Sequence, residues 1–335
     1  MSSVQSLLKK VLTFCLWLVA VLTVLWSCFA IWIDSGLARG VKVVLIIFIL
    51  LLTSLAILKI RPLHRATLVP FTAFSVVALW WLAIPASNDR DWAAPYTKLS
   101  SMKIDGRKLE VKNLRNFHYS PDGAIQENWE DREYKLDDLE GVDLIFSFWG
   151  PKHIAHTILS WQFKNSKPLA ISIETRREKN EGFSGLHGFF RRYELYYVVA
   201  DESDVIKLRT SIKKEDVYLY RLKIDPLGAK NLLLDYAHRV EQLHDKPRWY
   251  NAATQNCTTT IRYHAQSIDG GGSWNWRLLL NGYLPELCHQ RGIINNETSF
   301  TEIRKRSYIS PKTEQLRKVD EFSKFIRDDL PERPH

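Results

Sequence analysis

The sequence is short of cysteine, with four in 335 residues, at positions 15, 28, 257 and 288. That rules out the disulfide-dense scaffold with which small secreted domains make up for a thin core. Cys15 and Cys28 fall in one apolar helix, about 20 Å apart along its axis, and cannot bridge. Only Cys257 and Cys288 are free to pair, and nothing else in the chain calls for that bond. Internal repeats and low-complexity tracts are missing from residue 88 onward, so a solenoid or a disordered linker is excluded there. Acidic residues are outnumbered, 37 against 46 Lys and Arg, for a formal net charge of +9. Such a balance suits a nucleic-acid or lipid partner, or a solvated basic surface.

Charge is absent altogether over residues 11–33, between Lys9-Lys10 and Asp34. A run of that length crosses a hydrocarbon core of roughly 30 Å. Residues 42–60 form a second apolar run if Lys42 and Lys59 snorkel to the two interfaces. Residues 67–86 form a third, with Trp80 and Trp81 placed for a headgroup boundary. A cleaved signal peptide competes for the first run, but the stretch is too long for a usual apolar core and no A-x-A site follows. The expected organisation is a membrane domain, residues 1–88, with three transmembrane α-helices, followed by a domain over residues 89–335. Lys9, Lys10, Lys59, Arg61 and Arg65 outnumber Arg39 and Lys42, so the positive-inside rule puts the N-terminus in the cytoplasm and the large domain across the membrane. In a bacterium this is an inner-membrane protein with a periplasmic domain. No nucleic acid is then a partner, and the basic surface faces anionic headgroups or water.

The large domain reads as α+β, an antiparallel sheet with packed helices. Residues 143–150, 155–163, 169–176, 193–200 and 217–222 are short β-branched and aromatic runs separated by Gly, Pro, Asn and Lys. Helical spacing follows over 227–243 (Leu232, Tyr236, Val240, Leu243) and again from Cys257 through Ile261, Ala265 and Ile268. The first fifty residues, including Ser120 to Gly123, read as an irregular lead-in, and residues 312–330 as a charged surface helix.

Cys257 is the residue that raises a chemical question. Asn256 is a good N-cap, which puts Cys257 at the first helical position, where unpaired N–H groups and the helix dipole favour a thiolate and could hold an oxyanion. A small buried side chain heading an apolar stripe explains it equally well. A base is available on a strand. Alternation places His156 with Ile158, Ser160 and Gln162 on one face, and a three-residue hairpin loop sets Phe163 opposite Lys167 and His156 opposite Glu174. A Cys257, His156, Glu174 arrangement would follow if the helix start meets that strand; a satisfied structural histidine is the alternative. His153 and His156 point to opposite faces of a strand and do not suit a metal. His264 lies about 10 Å along the helix from Cys257, too far to serve as its base. No metal or cofactor is expected.

The segments "FSFWGPKHIAHTILSWQF", "LAISIETRREKNEGFS", "RRYELYYVVADESDVIKLR" and "YNAATQNCTTTIR", in that order, resemble the periplasmic domain family found at the N-terminus of the bacterial lipoprotein N-acyltransferase Lnb. The likeness runs over about residues 143–262. That family is similar to circularly permuted papain-like enzymes, NlpC-type peptidases among them, in which the histidine strand precedes the cysteine helix. The resemblance implies Cys257 as nucleophile, His156 as base and Glu174 as third member. Ser172, Arg176, Arg177, Glu178, Glu181 and Glu194 match positions of the family pattern too, which implies a part in substrate binding, in shaping the site or only in the fold, and Asn256 joins them as the cap of the cysteine helix. The function expected is a membrane-anchored thiol acyltransferase that takes an acyl group from a phospholipid, with the lipid bilayer as a partner and a lipoprotein amine as one candidate acceptor. An NlpC-type peptidoglycan amidase or a non-catalytic membrane-anchored scaffold are the alternatives. The family's own membrane segments follow the domain, whereas three precede it here, so the lipoprotein acceptor is not carried over.

Overall fold

The computed structural model describes residues 2–120, 124–265, 275–315 and 321–334. Two compact units divide the chain: Met1–Ala86 with Ser184–Tyr193, and Ser87–Phe183 with Glu194–His335.

The first unit holds α1 (Ser2–Asp34), α2 (Arg39–Lys59), the short α3 (Leu63–Ala66) and α4 (Leu68–Ala83). Three spans, Val4–Asp34, Arg39–Lys59 and Leu63–Ala83, are long and apolar enough to cross a membrane. Their side chains stay exposed in long rows, as a lipid-facing surface requires. The third run ends earlier than expected, since Ile84 is already extended and Pro85 follows. The segment Ser184–Tyr193 belongs to this unit although it sits between two strands of the other. Its Phe190 is buried among Val24, Ile31 and Val77. Asp34 accepts from Trp81 Nε1 at 2.6 Å and from the Arg191 amide at 3.0 Å.

In the second unit the strands are β1 (Ser101–Asp105), β2 (Lys108–Arg115), β3 (His118–Tyr119), β4 (Ile125–Gln126), β5 (Trp129–Lys135), β6 (Leu139–Phe148), β7 (His156–Phe163), β8 (Ser166–Arg176), β9 (Glu194–Asp201) and β10 (Asp216–Arg221). The main sheet runs β1-β2-β9-β8-β7-β6-β10, with β5 also on β2, and β3 pairs with β4 apart from it. Neighbours are antiparallel except for one parallel pair, Arg115 with Ala200. The lead-in is therefore not irregular. Asp105-Gly106, with Gly106 at φ +58°, turns β1 into β2, and β2 and β5 carry alternating exposed and buried residues. Residues 121–123 of the Ser120 to Gly123 turn lie outside the described residues.

Each face of the sheet has its own core. On one, Leu159, Trp161, Ile171, Ile173 and Tyr197 pack with Leu232, Leu233, Tyr236 and Val240 of α6 (Pro226–Asp245) and with Cys257, the first residue of α7 (Cys257–Ala265). Helix α6 starts where Asp225 accepts from the Gly228 amide at 2.7 Å and Pro226 takes the first turn. Trp161 is wholly buried and donates to the Ala229 carbonyl at 3.1 Å. On the other face Ile145, Ile158, Ala170, Tyr196 and Val198 pack with Trp92, Tyr96, Val205, Ile206, Phe322 and Ile326. Val205 and Ile206 come from α5 (Glu202–Lys207).

The chain ends through α8 (Leu284–Gln290), α9 (Phe300–Arg306), α10 (Ser310–Gln315) and α11 (Phe322–Phe325). The tail is not a surface helix. Phe322, Ile326 and Leu330 are buried, and Arg327 reaches Asp143 at 2.9 Å and Glu202 at 2.5 Å, both carboxylates fully buried. Apolar spacing at 322, 326 and 330 covers the core while charges between them hide its period. Residues 316–320 of this tail, and residues 266–274 with Ile268 of the cysteine-helix stripe, lie outside the described residues.

Candidate functional site

His156 opens β7 directly opposite Ser147 on β6. On its other side β7 pairs with β8 through Ile158–Ser172 and Leu159–Ile171, a register that continues to His156 opposite Glu174. The hairpin end differs from expectation: Phe163 faces Ser166, and the register shifts between Trp161 and Phe163. The irregularity absorbs one residue, so the distal pairing is the one a three-residue loop implies.

Three expected site residues converge there. Ser172 Oγ lies 2.7 Å from His156 Nε2 and donates to Glu174 Oε1 at 2.8 Å. With its one proton given to Glu174, Ser172 accepts, so His156 donates from Nε2 and its Nδ1 carries the open lone pair. Among the described residues Nδ1 has no hydrogen-bond partner. Glu174 is 3.7 Å from His156 Nε2 and 3.0 Å from Arg209, which also pairs with Glu215 at 3.1 Å. Ser147 donates to Glu215, closing the network.

Burial and the Arg209 guanidinium push His156 down to about 3, against the opposing pull of Glu174. The ring is therefore neutral at physiological pH. Burial raises the Glu174 carboxyl, but Arg209 and His156 outweigh it and hold the group well below the usual carboxylate range. Arg209 lies in the one-turn π segment Leu208–Ile212 after α5. Nothing in the local sequence marks it as a partner of Glu174.

Cys257 stands where the sequence places it, at the start of α7. Asn256 caps the helix, its Oδ1 accepting from the Thr258 and Thr259 amides, each at 2.9 Å. The thiol is buried, with Thr258 Oγ1 at 3.8 Å, and packs in the core of the α6 face. His156 sides with Ile158 and Ser172 on the other face. No hydrogen bond joins Cys257 to His156 among the described residues. The residues beside them are tied by one that the sequence does not single out. Asn281 accepts from the Ala155 amide at 2.7 Å, donates to the Ala155 carbonyl at 2.5 Å and donates to Thr258 Oγ1 at 2.6 Å. One side chain thus holds the residues next to His156 and next to Cys257. Gly282 donates its amide to the His153 carbonyl at 3.1 Å, and a Cβ there would overlap the Lys152 carbonyl and sit 2.7 Å from the His153 carbonyl carbon. His153 serves the site through its backbone.

The remaining expected residues gather elsewhere, around the lead-in. Arg176 is buried, bonded to the Tyr96 carbonyl at 3.0 Å and Asn88 Oδ1 at 3.1 Å, and stacked on Trp92 with 4.1 Å to the ring centre. Arg177 donates to Tyr96 OH at 2.6 Å. Glu178 and Glu194 share Arg90 at 3.1 and 2.8 Å, and Glu181 accepts from the Glu178 amide at 3.1 Å. Burial lifts Glu194 to about 7 although Arg90 opposes it. These groups fasten residues 88–96 to the ends of β8 and β9. Cys288 and Cys257 are both buried free thiols. His264, dismissed as a base, is wholly buried between Asp235 at 2.5 Å and Tyr197 OH at 2.9 Å.

Comparison with known families matches residues 125–282 to the Lnb N-terminal periplasmic domain. The match extends beyond residues 143–262 at both ends and takes in Asn281 and Gly282. No curated protein and no solved structure matches the chain.

Proposed function

Because residues 125–282 of this chain belong to the Lnb N-terminal periplasmic domain family, we propose that it is a membrane-anchored thiol acyltransferase of the bacterial inner membrane, its N-terminus cytoplasmic and its large domain periplasmic. The observation that carries the proposal is the Asn281 clamp, which joins the start of the histidine strand to the start of the cysteine helix at adjacent residues. The chain order, histidine strand before cysteine helix, accords with a circularly permuted papain-like site.

In this reading the Cys257 sulfur attacks the carbonyl of a lipid ester. The ester C–O bond breaks, the alcohol leaves with a proton, and a thioester forms. An amine, as on a lipoprotein, then attacks the thioester; the C–S bond breaks and the thiol is restored. His156 takes the thiol proton at Nδ1, while Ser172 and Glu174 fix the ring through Nε2. A neutral imidazole supplies an open lone pair, and Arg209 disfavours a standing imidazolium. Proton transfer then requires Cys257 Sγ and Nδ1 to meet around the first residue of β7. The α7 N-terminus, where Asn256 occupies two N–H groups, leaves the Cys257 amide as the donor nearest a developing oxyanion.

The test is acylation of lipids and lipoproteins in membranes carrying Cys257→Ala or His156→Ala at wild-type protein levels. Loss of acylation in both supports the reading, and unchanged acylation refutes it. A second reading, a non-catalytic anchored scaffold, is favoured by the burial of Cys257 in the hydrophobic core. It predicts that a thiol-directed electrophile leaves Cys257 unmodified at neutral pH.

A further inference from the structure

On the outer flank of the cysteine helix lies a cavity of about 420 Å³. Its lining includes Arg239, Arg248, Thr254, Gln255, Thr260 and Tyr263, and no carboxylate contributes to the wall. Two guanidiniums facing one concavity repel each other, and proteins ordinarily answer such cations with acids. Here that answer is missing. Among the described residues Arg239 has a weak bond to Gln242 at 3.4 Å and lies over the Tyr263 ring with 4.5 Å to its centre; Arg248 has no side-chain partner. The stacking holds the Arg239 guanidinium plane in place with N–H groups unspent.

Both cations act at one point, the Tyr197 phenol in the same wall. Burial raises that phenol, while Arg239 and Arg248 each pull it back. Asp235, whose charge also raises the Tyr197 phenol, is already engaged with His264. Around the cations stand groups that donate hydrogen bonds without charge, the Thr260 hydroxyl and the Gln255 side-chain amide, while the Thr254 hydroxyl donates to Asn251 Oδ1 at 3.1 Å. Leu195 and Leu243 add apolar surface beside them.

We propose that this cavity binds a phosphate group, mono- or diester, held by Arg239 and Arg248. Arginine forks match phosphate oxygens two at a time, and the hydroxyl and amide donors complete the shell. The chemistry fits a phospholipid headgroup or free phosphate alike. This inference goes beyond the proposed acyl transfer: it holds whether or not Cys257 reacts, although a phosphate bound here would sit against the first turns of the helix that Cys257 begins.

The experiment is calorimetric titration of the detergent-solubilised full-length protein with dihexanoyl phosphatidylglycerol and, separately, with inorganic phosphate. Wild type, Arg239→Gln, Arg248→Gln and Cys257→Ala are compared, with thermal melting as the check on folding. Saturable binding that each arginine substitution weakens about tenfold, and that Cys257→Ala leaves intact, is the expected result. Binding of the lipid alone identifies a headgroup site, and binding of both with equal affinity a free-phosphate site. Absence of binding by either probe, or binding indifferent to both arginine substitutions in folded protein, overturns the proposal. Loss of acylation chemistry in Cys257→Ala with binding retained separates this site from the acyl-transfer reading.

Discussion

Asn281 holds Ala155 by both backbone polar atoms, accepting from its amide at 2.7 Å and donating to its carbonyl at 2.5 Å. The pairing ends the strand ladder at the residue before His156, and the remaining amide proton reaches Thr258. Asn281→Ala leaves a buried N–H and a buried C=O without partners. We expect a loss of about 2–4 kcal/mol of stability by chemical denaturation. Asn281→Asp keeps the acceptor for the Ala155 amide but loses both donors, so it should be no more stable than the alanine variant.

Gly282 is the second feature of the same clamp. Its φ needs no glycine, but the space does: a methyl group would overlap the Lys152 carbonyl. Gly282→Ala should displace residues 152–153 and cost about 1–3 kcal/mol. Thermal melting checks this, and a change of less than a few tenths of a kcal/mol would show that the loop yields freely.

Acid stability follows from His156. Its folded value, about 3, lies below the unfolded value near 6.5. The unfolded chain thus binds the proton more readily, and the stability that this group contributes is complete above about pH 6.5. It is lost as pH falls from there toward 3. Glu174 is depressed as well, and its contribution is lost below about pH 4.5. His156→Gln should therefore flatten the decline in stability between pH 6.5 and 4.5, measured by denaturation at fixed ionic strength.

Arg327 carries a fourth expectation. It joins Asp143 and Glu202, two wholly buried carboxylates, at 2.9 and 2.5 Å. Arg327→Met leaves the buried Glu202 without a charged partner, while Asp143 keeps Arg333 at 2.7 Å, and should cost about 3 kcal/mol, read as a fall in the denaturation midpoint. A surface tail would lose almost nothing.

Much of this architecture could be read from the chain. Strands β6 to β10 announce themselves because alternating or continuous β-branched and aromatic runs have few other uses, and the membrane spans because uncharged length has one. The His156–Ser172–Glu174 grouping was legible as a face and a register. Pairing across distance was not. Arg209 comes from a π turn, Asn281 from the 3-10 turn Asn281–Tyr283, and both are ordinary polar residues until the fold brings them in. Strands β1, β2 and β5 were hidden by charges on their exposed faces, though Asp105-Gly106 was a usable turn signal. Helix α7 packs with α6 on one face of the sheet, and local periodicity says nothing about which face a distant helix covers.

Mass spectrometry of the full-length protein, purified from membranes and digested without thiol reductant, tests the account most directly. The account predicts an acyl mass on the peptide bearing Cys257, removed by neutral hydroxylamine and missing from the His156→Gln protein. An unmodified Cys257 peptide in wild type, under conditions where membrane lipoproteins are being acylated, would contradict it.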